Sequence, residues 1–199
     1  QDTFFVPLIY GGKALNSGDL NFLAGCNAGQ AMTSALYNIA IGGNTLCSIT
    51  GGYQNIALGY LAGQGLTSGT CNMFIGAYSG FQAVTATHNT ALGVKALRRV
   101  GCTGAGLKNV AIGADAGFCV SFGCANTLIG YRAGHNTQGG SDNVLIGCCV
   151  CNASTHDSCC LKIGIGDYHW IAGVGQTSVT IAGIATVYNA TGIVSATAF

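Results

Sequence analysis

Glutamate is absent from this 199-residue chain, and charged residues of every kind make up only 7% of it. Ordinary domains carry roughly 25%. The six acids are all Asp and are scattered, so the flanking carboxylate pair needed for glycoside hydrolysis is not expected. Seven Lys and Arg leave a net charge of +1, which gives no case for nucleic acid or an anionic membrane. A single Pro beside 33 Gly excludes collagen and Pro-rich linkers. No apolar run reaches the ~18 residues of a membrane span, so membrane insertion is not expected. No secretory signal pattern opens the chain, and Gln1 in place of Met points to a processed chain or a segment of a longer one. HExxH, GxSxG and P-loop patterns are missing, and none of the four His has metal-ligand spacing. The expectation is a protein without catalysis, cofactor or metal.

What the chain does have is a repeat. Asn-Val-Ala-Ile-Gly-Ala-Asp-Ala-Gly at 109–117 is one copy of a unit whose first residue recurs at Asn21, Asn38, Asn55, Asn72, Asn89, Asn109, Asn126 and Asn143. A ninth copy begins at Cys160 and keeps all but the Asn. The step is 17 residues except between Asn89 and Asn109, where it is 20. A fixed short period marks a solenoid, which grows along one axis. Counting the Asn as position zero, position four is Gly in all nine copies, and the residues between are β-capable. Positions one and three share one face of the strand and position two takes the other. Both faces are apolar, as in Val110, Ala111 and Ile112, and strands of that kind are usually covered on both sides. One cover is the coil interior; the other is most simply a neighbouring chain. A helix is disfavoured because each interior Gly costs up to ~1 kcal/mol.

The reading is therefore all-β: a parallel β-solenoid of nine coils with a 17-residue repeat, assembled as a homotrimer. Residues 1–20 lack the motif and would form an N-terminal cap. Residues 21–164 would form the solenoid, and residues 165–199 a C-terminal β cap or a joint to a further module. Whether each chain coils alone or three chains interleave stays open.

The Asn column reads as a ladder of stacked amides, with a row of ligand-facing amides as the alternative. The three extra residues after Asn89 should emerge as a surface loop. Lys95, Arg98, Arg99 and Lys108 lie in that step, either as a solvated bulge or as a contact site for an anionic glycan or protein partner. Eleven Cys favour an oxidising setting. The late cluster Cys148, Cys149, Cys151, Cys159 and Cys160 could suggest zinc, but adjacent Cys pairs fit the spaced pairs of zinc sites poorly. Disulfides and small apolar packing are the preferred reading. Cys102 and Cys119 each lie seven residues before a repeat Asn, so a disulfide between consecutive coils is expected there.

The N-x-A-I-G-x-x-A-G runs, separated by Thr- and Gly-rich spacers, resemble those of phage tail fibres, marine and cyanobacterial myophages in particular. Ile163-Gly-Ile-Gly166, Trp170-Ile-Ala-Gly173 and the run from Gly192 to Phe199 are similar to segments that join modules in such fibres. The likeness covers about residues 21–199. The core motif also resembles head repeats of trimeric autotransporter adhesins. Both resemblances imply homotrimers that bind surfaces. The first implies a virion location and a structural role, with a host surface glycan or protein as partner. A bacterial adhesin head and a fibre-borne glycan-degrading enzyme are the alternatives.

Overall fold

The computed structural model describes residues 4–5, 20–101, 106–174, 178–181, 185–188 and 194–196. These form one sheet of strands joined in chain order. The strands are β1 (Phe4–Phe5), β2 (Phe22–Ala24), β3 (Ile39–Ile41), β4 (Ile56–Leu58), β5 (Met73–Ile75), β6 (Thr90–Leu92) and β7 (Val110–Ile112). They continue as β8 (Thr127–Ile129), β9 (Val144–Ile146), β10 (Cys160–Ile165), β11 (Tyr168–Val174), β12 (Ser178–Ile181), β13 (Ala185–Tyr188) and β14 (Val194–Ala196). There is no helix among the described residues. Strands β1 to β10 pair in parallel, and β10 to β14 pair antiparallel as a meander. The protein is a β-solenoid of about eight turns with a 17-residue repeat.

Register is kept at every step. Phe22, Ile39, Ile56, Met73, Thr90, Val110, Thr127, Val144 and Leu161 are successive partners. The longer step from Thr90 to Val110 therefore leaves the sheet undisturbed. Arg99 N–H donates to Phe118 O just as Gln82 N–H donates to Arg98 O, so the extra residues enter after Val100.

The inward position is the middle of each three-residue strand. Leu23, Ala40, Ala57, Phe74, Ala91, Ala111, Leu128 and Leu145 are at most 1% exposed. The coil is narrow, and position eight balances position two. In three coils a large residue at two faces Gly at eight: Leu23 with Gly29, Phe74 with Gly80, Leu128 with Gly134. Ala40 and Ala91 are matched instead by Leu46 and Leu97, which adopt left-handed backbone (φ 45° and 46°) to fill the space. Where both places are small, neighbouring coils fill in. A Cβ on Gly117 would meet Leu97 and Leu128 at 2.8 Å each. Close packing of this kind leaves little room for drift between coils.

Position four needs glycine on two counts. Its φ lies between 126° and 139° from Gly25 to Gly147, and an added Cβ would strike the glycine carbonyl group of the next coil. Other corners do without glycine. Asn27, Asn44, Leu61, Tyr78, Lys95, Asp115, Arg132 and Cys149, all at position six, have φ near 55–60°.

The ninth copy departs from the other eight. Lys162 pairs in register with Leu145, in the place that otherwise holds Leu, Ala or Phe, and its Nζ donates to Cys151 O at 3.0 Å. A cation in the inward column ends the core. β10 then runs on through residues 164–165, where the solenoid had been expected to stop, and folds back on β11 past a bulge at Ile163/Gly164. At the other end β1 already stacks on β2 in parallel, Phe4 on Phe22 and Phe5 on Leu23, so the sheet begins before the first Asn.

Candidate functional site

The Asn column lies at the entrance to each strand, 2% exposed or less at all eight positions. Asn109 shows the pattern. Its Oδ1 accepts from Asn126 N–H and Asn126 Nδ2, both at 3.0 Å. Its Nδ2 donates to Asn89 Oδ1 at 3.1 Å and to Gly123 O at 2.9 Å. The same bonds run from Asn21 to Asn143, and Cys160 N–H closes the row on Asn143 Oδ1. These amides bond to neighbouring coils and to the turn carbonyls of their own coil. All eight are buried and bonded within the chain.

The basic coil divides. Lys95, Arg99 and Lys108 are exposed. The Arg98 guanidinium lies between two rings, 5.1 Å from the centroid of Phe81 and 5.3 Å from that of Phe118. Phe118 in turn stacks on His135, centroids 5.3 Å apart. Burial, and then the nearby Arg132 charge, lowers the His135 pKa, with Asp115 opposing. Phe81, Arg98, Phe118 and His135 all occupy position nine of consecutive coils. Arg98 is thus engaged by its neighbours, and Lys95, Arg99 and Lys108 remain of the expected contact group. The signal was readable in the registered repeat, which puts Phe, Arg, Phe in one column. Replacing Arg98 with Ala should lower stability by about 1–2 kcal/mol, the worth of a partly desolvated cation–π pair on each side. Lys95→Ala and Arg99→Ala should stay within about 0.5 kcal/mol of the parent. Urea unfolding of the three variants checks this.

Cys102 lies outside the described residues. Cys119 is free and half-buried. Counted forward from the Asn, the residue one coil before Cys119 is Arg99, because the extra residues come later. The expected pairing had been counted backward across them. Among the described residues no three His, Cys, Asp or Glu side chains gather closely enough to hold a metal ion. Asp157 is engaged locally, its Oδ2 accepting from Ser154 N–H at 2.9 Å.

The outward face of the sheet forms a regular surface along the described coils. Positions one and three present Ile39, Ile41, Met73, Leu92 and Ile112, each 37–45% exposed, with less exposed Val, Leu, Ile, Phe and Thr between them. Tyr60, Val94 and Tyr131 extend it at position five, just past the corner glycine. Eight strands ~4.8 Å apart make an apolar band about 35 Å long. Nothing within the described residues covers it.

No family model, no curated protein and no solved structure matches the chain.

Proposed function

We propose that this chain is a structural segment of a trimeric phage tail fibre that contributes to host attachment. The apolar band on the outward sheet face carries the reading. Contiguous apolar surface of this extent marks an interaction site. Because the register never slips, copies related by a three-fold axis parallel to the solenoid would meet with like columns facing each other. The low charge fits the same picture, since few residues are left to keep such a face in water. The repeat's resemblance to tail-fibre modules supplies the virion location. The outer surface of the fibre, with exposed Lys95 and Arg99, would then meet a host glycan or surface protein. The segment is assigned no catalysis: its Asn column is engaged by its own backbone and by neighbouring Asn side chains, and the sequence shows no paired acids.

Ile41→Lys and Ile112→Lys test the band. Each places a charge where an apolar contact is proposed, which is severely unfavourable when buried and unpaired. Both variants should keep the β circular dichroism signal and sediment as monomers. If either sediments with the parent, the band is not the contact. An antibody raised against the segment should also label the tails of intact virions.

A further inference from the structure

The two adjacent-cysteine pairs behave differently, and the difference points to a site. Cys159 is exposed while Cys160 is 2% exposed, so these two point to different sides. Cys148 and Cys149 sit instead at positions five and six of the eighth turn. Both lie in a turn, with a left-handed backbone at Cys149 (φ 59°). Both side chains reach the same outer corner, Sγ to Sγ 3.3 Å, with Cys148 exposed and Cys149 half-buried. The corner is held from both sides. Cys149 N–H donates to Tyr131 O, and Gly166 N–H donates to Cys148 O, each at 2.7 Å. The proximity therefore comes from the coil geometry and is not left to the side chains alone.

We propose that Cys148 and Cys149 form a vicinal dithiol that reduces low-molecular-weight disulfides and closes to a disulfide across their shared peptide bond. One thiolate attacks a sulfur of the small disulfide, its S–S bond breaks, and one small thiol leaves with a proton. The second cysteine then attacks the protein sulfur of the mixed disulfide and expels the other small thiol. Two protein thiols lose two protons and two electrons, and one small disulfide becomes two thiols. Adjacent Cα atoms stand ~3.8 Å apart, closer than the ~4.4–6.8 Å usual for a disulfide. The bond would therefore be strained and readily reopened by a reducing thiol pool. The Cys148 pKa is raised, first by its hydrogen bond with Cys149 and then by burial and the neighbouring thiol, with the Arg132 charge opposing. That contact is the electrostatic trace of the same proximity. Cys151 is turned elsewhere, its Sγ toward Arg132 O at 3.9 Å. The site does not depend on the fibre assignment.

The test uses the intact, reduced chain treated with oxidised glutathione. Free thiols are then blocked, disulfides reduced, and the newly freed thiols given a heavy label for peptide mass spectrometry. The heavy label should fall on Cys148 and Cys149 together, with no glutathione retained on either before reduction. Cys148→Ser should instead accumulate glutathione on Cys149, since the resolving thiol is gone. Retained glutathione on either residue of the unmutated chain, or a bond from either to Cys151 or Cys159, would overturn the proposal. So would two unreacted thiols.

Discussion

Replacing Gly113 by alanine is expected to lower stability by about 4 kcal/mol. Two effects combine. The backbone at Gly113 has φ 130°, which L side chains rarely adopt, and strain of this kind costs about 1–3 kcal/mol. The new Cβ would also lie 2.5 Å from Gly130 O, a backbone atom of the next turn. Relief would require separating two turns that Gly130 N–H ties to Ile112 O at 2.8 Å. Overpacking against a fixed neighbour adds about 1–3 kcal/mol. Gly43→Ala is the control. Gly43 lacks the positive φ, and its Cβ would meet only the Tyr60 ring, at 3.4 Å. That change should stay within about 0.5 kcal/mol of the parent. Equal urea midpoints for the two variants would show that the stacked glycine column is not under steric constraint.

Asn109→Ala should cost about 3–4 kcal/mol, although it removes only a small uncharged side chain. Asn126 N–H loses its acceptor and Gly123 O loses the Asn109 amide donor, both in the interior. Each stranded group costs about 1–3 kcal/mol. Asn126 Nδ2 keeps its bond to Gly140 O, and Asn89 Oδ1 keeps the Asn109 backbone N–H, so the damage stays within adjacent turns. Asn109→Asp adds a pH signature. Its carboxylate would face the acceptors Asn89 Oδ1 and Gly123 O while buried, and both effects raise its folded-state pKa above the unfolded value. The neutral acid can restore one donor. The penalty relative to the parent should therefore be smaller near about pH 4 than near about pH 7, growing as pH rises above the unfolded value of ~3.9. A penalty independent of pH would mean that the substituted side chain leaves the ladder for solvent.

Much of this architecture was readable from spacing. A strict step of 17 residues fixes which residues stack, and alternation along a strand fixes which face each takes. Leu23, Phe74 and Leu128 could thus be set on one face and Ile39 and Ile41 on the other before any coordinates were considered. The corners were not readable in the same way. Positive φ at Leu61, Tyr78 and Arg132 has no composition signal, because tertiary hydrogen bonds and packing impose it on residues that would not choose it. The closeness of Cys148 and Cys149 was hidden for the same reason, because it arises at a turn and not in a strand. The count that matched Cys102 to Cys119 runs backward across the extra residues, whereas hydrogen bonding keeps the 17-residue register up to Arg99, and Cys102 itself lies outside the described residues. The ninth copy kept the motif, yet one residue, Lys162, changes its role from another turn to the end of the core. The guanidinium of Arg98 was counted as free surface charge, whereas rings one turn to either side flank it and leave it half-buried.

The account turns on the outward sheet face being an interface between copies of the chain. The most direct measurement is the absolute mass of the purified protein by light scattering at micromolar concentration. Three chain masses, unchanged on dilution across that range, is the predicted result. A single chain mass, with the apolar band stable in water on its own, would contradict it.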